Sequence, residues 1–253
     1  GQNALGALTG GTKNNAFGQD CMANTTTGDY NNAFGNSALV NNNADYNTAM
    51  GHDALAANTT GTRNAAFGTN ALDANTTGID NTAVGGGALS ANTTASNNTA
   101  VGSNCLAGNT TGAECVAVGH DVMEASNGDS NTGVGFEAMK TLSTGDNNTA
   151  IGRQSLNSIT TGRKNSVLGT GGQAVTTGEN NSFIGYNAGS ASSPSGNITT
   201  QSNYVVLGDD NIANLMCADT SISSSDARDK TDIEDFNHGL SWINKLRPVT
   251  YRW

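Results

Sequence analysis

One glycine recurs along most of this chain at a spacing of about 17 residues, in some units one fewer: Gly18, Gly35, Gly51, Gly68, Gly85, Gly102, Gly119, Gly135, Gly152, Gly169 and Gly185. The residue before it is large and apolar (Phe17, Phe34, Met50, Phe67, Val84, Val101 and on to Ile184), and the one before that is almost always Ala. Four residues after it stands Leu or Met, as at Met22, Leu39, Leu55 and Leu72. A second signal, "TTG", closes many units, as at Thr59–Gly61 and Thr76–Gly78. A unit this short has no room for the helix pair of longer helical repeats, and two glycines per unit would break such helices. Two short strands joined by tight turns fit it. Each unit then reads as one coil of a parallel β-solenoid, with Gly supplying positive φ at the corners and Asn tolerating it. Stacked at about 4.8 Å, the coils make a rod on the order of 50 Å long.

Adjacent strand residues point to opposite faces, so Ala and the large apolar residue after it leave both sides of the strand dry. One side faces the coil interior; the other needs a surface from elsewhere. The expected state is therefore a homo-oligomer, taken as a homotrimer.

Composition narrows the function. Only 5% of residues are aromatic and 13% charged, a bias shared with disordered linkers, but a solvated random chain has no reason to hold apolar residues at fixed positions. The formal net charge of −10, with no Lys/Arg cluster, argues against nucleic acid as a partner. No apolar run approaches the roughly 18 residues of a membrane-spanning helix, so no membrane insertion is expected. The chain starts at Gly1 inside the pattern, without Met or a signal segment, and reads as a fragment. Cys21 and Cys105 occupy an Ala slot, Cys115 an Asn slot, and Cys217 lies outside the array, which favours free thiols over a disulfide framework.

No motif for a cofactor, phosphate or metal is present, and none is expected to bind. The pairs His52–Asp53 and His120–Asp121 suggest half a triad, but the same two slots hold Gln19 and Asp20, Asn36 and Ser37, or Arg153 and Gln154 elsewhere. So permissive a position reads as an exposed corner, and an enzyme for an external substrate is unsupported. Corner residues such as Phe136, Arg153 and Tyr186 are available to touch a glycan, but no receptor site is assigned.

The "NTAVG..AL..NTTG" array over residues 1–189 resembles the head repeats of trimeric autotransporter adhesins and of bacterial and phage tail-fibre-domain proteins. That resemblance implies a left-handed β-roll with three chains packed around an axis; the adhesin heads usually have shorter repeats than this chain. Residues 190–224 read as a linker and neck, beginning with the Ser/Gly/Pro-rich "SASSPSGNITTQSN" and reviving the motif once in "YVVLG". Residues 225–253 concentrate charge, and Leu240, Ile243 and Leu246 recur at helical spacing before Pro248. This stretch, "SDARDKTDI…LSWINKLRPVTYRW", resembles the start of the intramolecular chaperone domain at the C-terminus of phage tail spikes and fibres, including an auto-processing endosialidase family.

In that family the domain trimerises, assists folding of the fibre, and is cut off just before the motif serine. Carried over, the Ser224–Ser225 bond is the cleavage site, Ser225 the nucleophile and Lys230 the base, with Asp226 and Arg228 in support. A serine hydroxyl needs such a partner to accept its proton, and a desolvated lysine can do so. Family domains continue past the position of Trp253, so self-cleavage is expected of a full-length precursor only. The combined expectation is an all-β parallel solenoid, a homotrimer, followed by a neck and the start of a partly helical chaperone domain. Functionally it is a tail fibre on the virion that attaches to a host cell-surface glycan or protein. A bacterial surface adhesin and a purely structural filament are the alternatives. An ice-binding solenoid is disfavoured because the Thr pairs sit beside a Gly turn and are interrupted at Asn43 and Ser126.

Overall fold

A computed structural model describes residues 1–214; within it, Gly1–Ala213 is one compact unit. The fold is an all-β parallel solenoid. Twelve three-residue strands, from β1 (Asn15–Phe17) through β11 (Ser182–Ile184) to β12 (Val205–Leu207), form a single sheet in sequence order. Every neighbouring pair is parallel and in register, so Thr48, Ala49 and Met50 lie opposite Ala65, Ala66 and Phe67. The coil contains one strand where the spacing suggested two. Its remaining sides are turns whose N–H groups bond carbonyls of the adjacent coil, as in Leu55 N–H to Ala71 O (3.0 Å) and Thr76 N–H to Thr93 O (2.9 Å).

β12 lies within the segment read as linker and neck, yet it pairs with β11 through Ser182↔Val205 to Ile184↔Leu207. The ladder thus crosses one enlarged coil, from Gly185 to Gly208.

The motif glycines have φ between +105° and +149°, where side chains are rarely tolerated, and a Cβ added at Gly51 would run into the carbonyl of Gly68. The "TTG" glycines behave differently. Gly61 and Gly78 have no positive φ, and the same slot is held by Ala44 and Ala95. Most left-handed positions are instead taken by residues with side chains, up to three per coil: Asp53, Leu55 and Arg63 in one example. The Leu/Met slot is the least expected of these, with φ from +49° to +55° at Leu39, Leu55, Leu72, Met123 and their equivalents. Left-handed backbone costs about 1–2 kcal/mol, and complete burial of Leu or Met returns about 1.5–3 kcal/mol. No β-branched residue occupies the slot, consistent with the greater strain such side chains meet there.

The interior is narrow: Ala33, Ala49, Ala66, Ala83 and Ala100 point in from the strands and meet the Leu/Met row, all fully buried. Volume is balanced between rows. Gly133 occupies the strand Ala slot beside Val122, and Phe183 fills the space left by Gly172 and Gly189, which stand in for Leu.

Two columns of asparagine complete the core. In the first, Asn47 donates from Nδ2 to Gly61 O (2.8 Å) and accepts the N–H of Asn64 on Oδ1 (3.0 Å). The pattern runs from Asn14 to Asn181, with Cys115 in place of one Asn. In the second, Asn58, Asn75, Asn92 and Asn109 each donate to the preceding Asn, beginning at Asn42. Beyond it the same slot turns apolar at Leu142, Ile159, Val175 and Ile198. Thr25 and Ser126 stand at the two ends of the second column, and their buried hydroxyls have no hydrogen-bond partner among the described residues.

Candidate functional site

The outward face of the sheet carries the row of residues that precede the motif glycines. Strand alternation buries the middle Ala and turns its neighbours out, so Phe17 (72% exposed), Phe34, Met50, Val84, Val101, Ile151, Leu168 (58%) and Ile184 remain in contact with solvent. The row continues to Leu207 on β12. Around Ile151, Leu168 and Ile184 it dips into a cavity of about 280 Å³, also lined by Thr149, Ser166 and Ser182. The row runs as an apolar strip one residue wide over twelve rungs. The alternation expected of adjacent strand residues is what the structure shows, and it places the large apolar residues, not the alanines, on the outside.

The corners carry the polar columns. His52 Nδ1 lies 3.1 Å from Asp53 and His120 Nδ1 lies 3.3 Å from Asp121, both histidines more than half exposed. No group of three or more His, Cys, Asp or Glu side chains that could hold a metal gathers among the described residues. His120 instead stacks on Phe136 at 5.7 Å, and the Arg153 guanidinium lies over the same ring at 5.7 Å. Tyr186 occupies the same repeat position further along, so the three residues named as available to a glycan share one column. On another corner Tyr30 stacks on Tyr46 at 5.0 Å with Lys13 over its ring, and Arg63 forms two bonds to Asp80 (2.6 and 2.8 Å).

Lys140 gathers the densest charge cluster, bonding Asp121 (2.9 Å) and Glu137 (3.0 Å), with Glu124 at 3.7 Å. Burial works to raise the Asp121 carboxyl, but bonds from Lys140 and Asn104 outweigh it and hold the group below the usual range. Bonds from Gln154 and Lys140 lower Glu137, and both carboxylates raise Lys140. Asp73 is the opposite case: burial pushes its carboxyl up, and Oδ1 has no partner among the described residues. Cys21, Cys105 and Cys115 are free and buried, and burial raises all three thiols, Cys115 to about 11, so none is a ready nucleophile. Cys217 lies outside the described residues.

Ser224, Ser225, Asp226, Arg228 and Lys230 also lie outside the described residues, as does the helical spacing of Leu240, Ile243 and Leu246. Residues 225–253 match the family model described as chaperone of endosialidase. No curated protein and no solved structure matches the chain. A β-solenoid followed by a chaperone-of-endosialidase segment fits a phage tail-fibre-like protein, and the segment implies self-cleaving maturation as the chemistry to examine. No helix among the described residues is long and apolar enough to cross a membrane.

Sequence reasoning missed the Lys140 cluster and the asparagine columns. The first column was signalled by Asn four residues before almost every motif glycine, and the second by the Asn three residues before the "TTG" glycine, as at Asn58 and Asn75.

Proposed function

We propose that this chain is a section of a homotrimeric phage tail fibre on the virion, a rigid rod that presents a receptor-binding surface to the host cell. The observation that carries the reading is the chaperone-of-endosialidase match at residues 225–253, C-terminal in sequence to a parallel β-solenoid. The exposed apolar row from Phe17 to Leu207 supports the trimer, because sister chains laid against it would remove it from water. Three copies of a weak contact on one rod give avidity without a strong individual site.

Maturation follows from the same segment. Ser225 Oγ gives its proton to Lys230 and attacks the carbonyl carbon of Ser224; the C–N bond between them breaks, its nitrogen taking up a proton, which leaves Ser224 joined to Ser225 as an ester. Water then hydrolyses that ester to release the chaperone with a free amine on Ser225 and a carboxylate on Ser224. Asp226 and Arg228 hold the segment in place.

Two measurements test the reading. The mass of the full-length precursor is expected to fall to that of a chain ending at Ser224, while Ser225→Ala stays intact; an uncut wild type sinks the processing claim. Sedimentation is expected to show a trimer that Val101→Glu with Ile151→Glu disrupts. A stable, folded wild-type monomer would remove the trimer.

A further inference from the structure

The single enlarged coil, Gly185 to Gly208, builds a surface feature that the regular coils lack. Its extra residues are anchored at several points. Ser193 is buried and its hydroxyl bonds Gly208 O (3.2 Å), Ile198 is buried with its N–H on Gly189 O (3.0 Å), and Asp210 N–H bonds Ser192 O (2.7 Å). Beside this anchored excursion lies a groove of about 510 Å³ spanning successive coils, lined by Ser158, Gln173, Asn187, Ser190, Ser192 and Asn197. None of the residues lining it is charged.

Elsewhere many surface amides are occupied along their columns, as in Asn24 to Asn41 (2.9 Å) and Asn180 to Asn203 (2.8 Å). The side-chain amides of Gln173, Asn187 and Asn197 have no hydrogen-bond partner among the described residues, nor does the hydroxyl of Ser158. Each amide offers two donors and an acceptor, and each serine hydroxyl both roles. Such a set suits a ligand whose own groups donate and accept at once.

We propose that this groove binds a neutral oligosaccharide. Sugar hydroxyls match the mixed donors and acceptors, and the volume lies within the roughly 300–1,000 Å³ usual for small-ligand sites. Anionic sugars are disfavoured, since no cation lines the groove and the chain carries a net charge of −10. The anchored coil limits the ordering cost of binding. The inference rests on the receptor-binding reading above and deepens it.

The test applies the full chain to an immobilised set of neutral hexose and N-acetylhexosamine oligosaccharides, with an anionic set alongside, and measures adsorption to a panel of bacterial strains in parallel. Expected is retention of one or more neutral sugars, insensitive to added salt and weakened about tenfold or more by Gln173→Ala with Asn187→Ala and Asn197→Ala. If the triple variant unfolds at a lower temperature, Asn197→Ala alone, on the exposed loop, decides by the same criterion. Capture of anionic sugars only, capture of none, or wild-type affinity in a stable variant overturns the groove. Adsorption to cells without capture of neutral sugars removes this inference and leaves the receptor-binding reading standing; absence of both removes the two together.

Discussion

Asn64 accepts the backbone N–H of Asn81 on its side-chain oxygen at 3.0 Å, inside the coil. Asn81 passes the pattern on, accepting from Asn98 N–H (3.1 Å) and donating to Ala95 O (2.9 Å). Asn81→Ala would strand the buried N–H of Asn98, while Ala95 O keeps its bond from Asn92 Nδ2 (3.0 Å), for an expected loss of about 1–3 kcal/mol in denaturant unfolding. Cys115 supplies the converse, offering Asn131 N–H only a weak sulfur acceptor. Cys115→Asn is expected to stabilise the rod by about 1 kcal/mol. A neutral Asn81→Ala would show that the column is ornamental.

The ends of the second asparagine column invite removal rather than repair. Ser126 Oγ is buried without a partner among the described residues. Ser126→Ala is expected to raise stability by about 1 kcal/mol, read from the denaturation midpoint at constant slope. A drop would reveal a bound water satisfying the hydroxyl.

Volume balance predicts coupling. A Cβ at Gly133 would meet Val122 Cγ1 at 2.6 Å. Gly133→Ala alone is expected to cost about 1–3 kcal/mol, and far less when combined with Val122→Ala. Phe183→Ala, which opens the space between Gly172 and Gly189, should cost about 3–5 kcal/mol. A double-mutant cycle on the first pair that proves additive refutes the packing account.

Asp73 gives a pH test. Its carboxyl is raised in the folded state by burial, so its charged form opposes folding at neutral pH, and Ala holds the same repeat position at Ala23, Ala56 and Ala107. Asp73→Ala should melt at a higher temperature at neutral pH. The gain should shrink as pH falls through the folded-state value and vanish below the ordinary Asp value of about 3.9, where both states are protonated. An advantage that persists in strong acid would point to packing instead.

Lys140 predicts the reverse slope. Asp121 and Glu137 are both lowered in the fold, so their contribution is present above the ordinary carboxylate range and disappears as pH falls through their folded values. Lys140→Met should therefore destabilise at neutral pH and lose that effect in acid, followed by thermal melts across the acid range.

The opposition of the strand rows was legible because alternation is strict: Ala83 and Val84 face opposite ways whatever the coil shape, and the structure puts Ala83 in and Val84 out. Left-handed Leu55 and Leu72 were not, since intrinsic preference argues against that conformation and only burial in the assembled stack overrides it. The motif of the twelfth rung was legible in "YVVLG", but its place in the ladder was not, because the 23 residues from Gly185 to Gly208 break the spacing on which the reading relied. Phe183 in an Ala slot made sense only once Gly172 and Gly189 were seen on either side of it. For the processing site, Ser225 and Lys230 were legible as a motif, while their mutual geometry lies outside the described residues.

Because the shorter and the longer regular coils alike present their strand residues in the same register, the length of this molecule is quantised. Excising or duplicating a whole unit, such as residues 86–102, shifts everything beyond it by one step of about 4.8 Å without turning any side chain to a new face. Reach is therefore a digital property of the gene, adjustable by copy number while every exposed column keeps its bearing.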